Sequence, residues 1–168
     1  MKARNPQLNL RLEATTPSVT MRWCEGARLP YLGMEITVHL SRECREAELH
    51  GGLLHLPLPP EALPRQIQDT AEAWLQREAL MRFNAAAQRQ ATRYGTLVLP
   101  CVLSFATRAS WVEVDTRGSD SKGEEQCLRC NWRLIGQPPI VIEQVIGAVV
   151  AALPQAMPML DLFGNPVQ

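Results

Sequence analysis

The sequence predicts an α+β fold, with a sheet that carries its helices on one side. Three observations support this. The first sixty residues run in short apolar–polar alternations punctuated by Gly and Pro, as antiparallel strands do. A long helical stretch starts near Pro64 and continues to about Arg93, with Gly95 placed as its stop. Strand, loop, strand and helix then follow in that order, and the last helix, Ile140–Leu153, is apolar along one face.

Taken in order, Leu8–Leu12 alternates as a half-exposed strand, and Thr15-Thr16-Pro17-Ser18 is a turn. Val19–Cys24 forms a second strand, closed by Gly26. Tyr31–Leu40 forms a third, and Glu48–Leu58 bends into a hairpin at Gly51-Gly52. Residues 1–60 thus read as an antiparallel meander, ended by Pro57-Leu58-Pro59-Pro60. On the long helix, Ile67, Ala71, Trp74, Leu75 and Met81 make the apolar side. Gln66, Asp69, Arg77, Arg82 and Arg89 face solvent, and Glu78 precedes Arg82 at i,i+4 spacing. Val98–Ser104 is a strand that Pro100 places at an edge. Arg108–Asp115 follows, then a polar hairpin loop at Thr116–Glu125, then a strand over Cys127–Ile135.

Gly136 and Pro138-Pro139 break that strand and open the last helix, since a proline N–H has no partner in a first helical turn anyway. Ile142, Val145, Ile146, Val149, Val150 and Leu153 fall on one stripe. Half of the residues in Ile140–Leu153 are β-branched, so burial rather than propensity must stabilise the helix. It is shorter than the ~20 apolar residues a bilayer requires.

The chain has 168 residues, which suits one domain over residues 1–153 (a meander over 1–60 and a core over 64–153) with a tail over 154–168. Seventeen basic and seventeen acidic residues cancel, so no net field favours nucleic acid or an anionic membrane. The N-terminal residues lack the apolar core of a signal peptide. Five cysteines, an odd number, fit reduced thiols in a cytoplasm better than a disulfide framework.

Asn131-Trp132-Arg133-Leu134, followed by Pro138-Pro139 and the apolar helix, resembles the centre of the YgjP-like metallopeptidase family, relatives of the SprT-like proteases. Tyr31-Leu32-Gly33, Gly51-Gly52-Leu53, Trp74 and Glu78-Ala79 are similar to that family at matching places. The resemblance implies a zincin-type frame whose last helix carries His-Glu-x-x-His, with zinc held by the two histidines and the glutamate acting as base. Here those positions hold Ala148, Val149 and Ala152. The family's third ligand falls near Pro158, and its Trp-Gly-Ser-Cys turn begins at Trp111 but continues Val112-Glu113-Val114. The resemblance therefore implies a frame without zinc or general base, a degenerate member that acts by binding an unknown protein partner. It also leads us to expect Ala148, Ala151 and Ala152 to pack closely on the sheet.

Two alternatives remain open. Cys127 and Cys130, with Cys24, Cys44 or Cys101 helping, are candidate metal ligands for a hydrolase with non-standard coordination. A pair at i,i+3 on a strand points to opposite faces, however, so chelation needs a turn there. His39, His50 and His55 read as ordinary strand or surface histidines, and Glu113, Asp115, Glu124 and Glu125 as solvent-facing. In the tail, Met159-Leu160-Asp161-Leu162-Phe163 resembles the short peptide by which bacterial proteins dock on the DNA polymerase sliding clamp, with Leu160, Leu162 and Phe163 as pocket-filling residues. Those three side chains could equally fold back onto the chain's own core.

Overall fold

We describe a computed structural model of the chain over residues 23–106, 110–117 and 125–155. The architecture is α+β, with one four-stranded and one three-stranded sheet, a long helix and a shorter one. Leu8–Leu12 and the turn at Thr15–Ser18 lie outside the described residues, as do residues 19–22 of the second expected strand; Trp23 and Cys24 are not in a strand.

The expected strand Tyr31–Leu40 is two strands, β1 (Arg28–Tyr31) and β2 (Met34–Leu40), paired antiparallel. The break comes at Leu32 and Gly33, whose φ values are 51° and 79°. Two consecutive residues in that region make a tight hairpin whose twist matches its strands. Leucine adopts this conformation only at a cost. Backbone bonds to a distant segment hold it: the Leu32 N–H donates to the Ile135 carbonyl at 2.8 Å, and the Gly33 N–H to that of Gly136 at 3.0 Å.

β3 (Glu48–His50) and β4 (Leu53–Leu56) form the hairpin expected at Gly51-Gly52. The meander does not hold. The strand order is β1-β2-β4-β3, and β2 runs parallel to β4. Parallel neighbours need a crossover of a dozen or so residues, and residues 41–52, with β3 inside them, supply it. Ile36, Val38, Leu40, Leu54 and Leu56 form the inner face of this sheet.

Helix α1 spans Pro64–Tyr94 and ends on Gly95 at φ 66°, a left-handed cap. Its first turn is closed by the Gln66 side chain, which accepts from the Leu63 N–H at 2.9 Å. Ile67, Ala71, Trp74 and Leu75 are buried as expected, but Met81 is exposed. Six positions past Leu75 the helix has turned off its buried stripe, which continues through Ala79, Phe83 and Ala87.

The second sheet contains β5 (Cys101–Ser104), β6 (Val112–Arg117) and β7 (Glu125–Asn131), ordered β5-β7-β6, with β5 parallel and β6 antiparallel to β7. β5 starts just past Pro100 and lies at an edge, where a residue without an N–H costs least. Residues 107–109 of the expected strand Arg108–Asp115 fall outside the described residues.

β7 stops at Asn131, and Trp132–Gly136 is a 3-10 turn rather than a strand end. Asn131 explains the change. Its side-chain oxygen accepts from the Arg133 N–H at 3.1 Å, and its amide nitrogen donates to the Ala106 carbonyl at 3.0 Å. A short polar side chain that bonds its own downstream backbone diverts the chain from a ladder into a turn.

Helix α2 spans Pro139–Val150, ending before the expected Leu153. Ile142, Ile146 and Val150 are buried, and Val145, Val149 and Leu153 pack partly buried against them, as the stripe predicts. The expected packing of Ala148, Ala151 and Ala152 on the sheet does not occur, because all three are exposed. Ala148 lies two residues past Ile146, roughly 200° around the helix from the buried side. Among the described residues no helix is long and apolar enough to cross a membrane.

Candidate functional site

α2 is positioned by contacts at both ends. At its start Pro138 packs against Gly33, where an added Cβ would sit 2.7 Å from the proline Cγ. Midway, Glu143 accepts from Arg89 Nε at 2.9 Å and from Gln90 Nε2 at 2.6 Å, tying α2 to α1. Gly147 lets Gln90 lie close, since a Cβ there would come within 3.0 Å of the amide oxygen. The helix thus presents Ala148 outward from its last full turn, Val149 half-buried beside it, and Ala152 exposed in the turn that follows. Methyl and isopropyl groups neither ligate a cation nor move a proton. The nearest carboxylate on the helix, Glu143, is already engaged by two partners.

The cysteine alternative meets the obstacle anticipated for a strand. Cys127 and Cys130 both lie in β7, three positions apart, so their side chains leave opposite faces and do not close on one ion. Cys130 is fully buried in the apolar cluster beside Cys101 of β5. The two thiols act on each other: Cys130 draws Cys101 below the ordinary thiol range, while Cys101, with burial, pushes Cys130 well above it. A thiol held protonated in this way is a poor metal ligand. Cys24 is exposed, and Cys44 donates to the Ser41 carbonyl at 3.3 Å. On the other face of β7, Arg129 pairs with Asp115, so that carboxylate is not simply solvent-facing. Glu124 lies outside the described residues, as do Pro158 and the tail segment with Leu160, Leu162 and Phe163.

The three histidines come together, which their sequence positions did not suggest. His39 in β2 lies directly opposite His55 in β4, and Glu48 in β3 lies opposite His55 on its other side. The rings of His39 and His55 stand 5.0 Å apart, and those of His50 and His55 6.1 Å apart. All belong to the outer face of the first sheet, because their strand neighbours Val38, Leu40, Leu54 and Leu56 fill the inner one. Glu25 reaches over from the turn before β1. One of its oxygens meets His39 Nδ1 at 2.8 Å, and the other accepts from the Leu40 N–H at 2.7 Å.

A cleft of about 240 Å³ opens between β1, α1 and the 3-10 turn. Trp23, Leu29, Leu75 and Trp132 line it, with Glu72 and Arg133 also bordering it. The Arg133 guanidinium lies 5.0 Å above the Trp132 ring. No protein-family model, curated protein or solved structure matches this chain.

Proposed function

We propose that this chain is a non-catalytic domain on a YgjP-like, zincin-type frame, a cytoplasmic binding or accessory protein whose ion-holding positions have been given over to hydrocarbon. One observation carries the reading: Ala148 in the last turn of α2 and Ala152 in the turn that follows are both exposed. An ion at that place would be open to water and substrate, as a catalytic metal must be, yet the side chains offered there hold no lone pair. Burial therefore does not account for the alanines, since an exposed histidine would be tolerated equally well. Further support comes from the contact between the two stretches that carry the resemblance. Tyr31-Leu32-Gly33 docks on the segment from Ile135 to Pro138 through two backbone hydrogen bonds and the close approach of Gly33 to Pro138. The cleft beside Trp132 has room for one large apolar side chain of a protein partner.

The test is hydrolysis of unfolded casein and mixed peptides by the untagged protein with zinc supplied. We expect no cleavage above the buffer rate. Cleavage that a chelator abolishes, and that survives removal of the surface histidines, would overturn the reading.

A further inference from the structure

We infer that the outer face of the first sheet is a binding site for a borderline divalent transition cation of the zinc, copper or nickel class, with His39, His55 and His50 as ligands. The inference stands apart from the proposal about α2, because it uses a different sheet and different residues.

Three imidazoles on adjacent strands are the donor set this class of cation prefers over magnesium or calcium. The backbone brings them within reach. His39 and His55 are direct cross-strand partners, and His50 shares the face one row along, opposite Leu53. Direct neighbours on one face of a sheet have Cβ atoms about 5 Å apart, close enough for two rings to meet a common ion. As the side chains stand, no three groups among the described residues converge on one point. The rings are edge-on to each other, at interplanar angles of 85° and 62°. Convergence requires side-chain rotation only: Glu25 holds His39, while the His50 side chain is 69% exposed and free to turn.

The carboxylates make the cluster more than three exposed rings. Metal-bound histidines usually pass their second ring N–H to a carboxylate, which fixes the tautomer and strengthens the donor. Glu25 is already placed this way on His39 Nδ1, and its bond to the Leu40 N–H holds it there. That arrangement leaves Nε2 as the lone pair. At the other end Glu48 stands 3.3 Å from His50 Nε2, a second carboxylate within reach of the cluster. The central ring, His55, has no hydrogen-bond partner among the described residues. Two carboxylates beside the rings also favour a dication.

Zinc chloride titrated calorimetrically into the untagged full chain tests this, with circular dichroism confirming the fold of each variant. We expect one equivalent of zinc per chain, binding lost with His55→Ala, and affinity about tenfold weaker with Glu25→Gln, the size of effect an orienting carboxylate has. His50→Ala, at the most exposed ring, is the second variant should His55→Ala fold poorly, and it too should weaken binding at least tenfold. No zinc uptake by the parent chain, or uptake unchanged in these histidine variants, would overturn the inference.

Discussion

Tyr31 shows how one side chain joins two elements. Its ring packs 5.2 Å from that of Trp74, and its hydroxyl donates to Glu78 at 2.6 Å while accepting from Arg82 Nε at 3.1 Å. Only the neutral phenol can donate to a carboxylate. Burial, then the bond to Glu78, raise its pKa from about 10 to about 12. The folded state thus holds this proton more tightly than the unfolded chain does. The stabilisation is complete below pH 10 and is lost as pH rises through 12. An alkaline phenolate titration should show one tyrosine ionising near pH 12 that is absent from Tyr31→Phe. A titration with no such component would refute the Tyr31–Glu78 bond. By local pattern Tyr31 was legible as a strand residue, and Glu78 and Arg82 as a pair on one helix. Their meeting depends on how β1 lies across α1, which no local pattern encodes.

Among the elements, local chemistry spoke clearly wherever it was strong. Pro64 and Gly95 bounded α1, Gly51-Gly52 made a hairpin, and the stripe from Ile142 to Leu153 faced the core. It misled where long-range contacts decide. Leu32 reads as a strand residue until its N–H finds the Ile135 carbonyl. A local bond was missed as well: the Asn131 side chain accepts from the Arg133 N–H, so β7 ends there and Trp132–Gly136 leave the ladder. The hairpin between β1 and β2 rests on the segment before α2 chiefly at Gly33. Replacing it with alanine puts a Cβ 2.7 Å from the Pro138 ring, on a backbone already at φ 79°. The left-handed conformation alone costs alanine about 1–2 kcal/mol, and Pro138, in a rigid Pro-Pro pair, has little freedom to withdraw. Denaturant unfolding of Gly33→Ala should therefore show a loss of at least about 1 kcal/mol. Unchanged stability would mean that this contact does not hold the two segments together.

Across the whole molecule, the histidine cluster and the outward face of α2 have opposite histories in the sequence. His39 sits between Val38 and Leu40, and His55 between Leu54 and Leu56, so alternation already turned both rings outward. Their juxtaposition was hidden because β2 pairs with β4 in parallel, across the intervening β3. The positions on α2 were legible only through a resemblance, and the reason first attached to them, close packing on the sheet, does not hold. Their exposure makes the central claim sharper, since an accessible ledge of alanine has nothing with which to hold a cation. Crystals grown with zinc and measured at its absorption edge test that claim most directly. We expect no anomalous peak within bonding distance of any group around Ala148 and Ala152. A zinc peak seated there, held by groups from elsewhere in the chain, would contradict it.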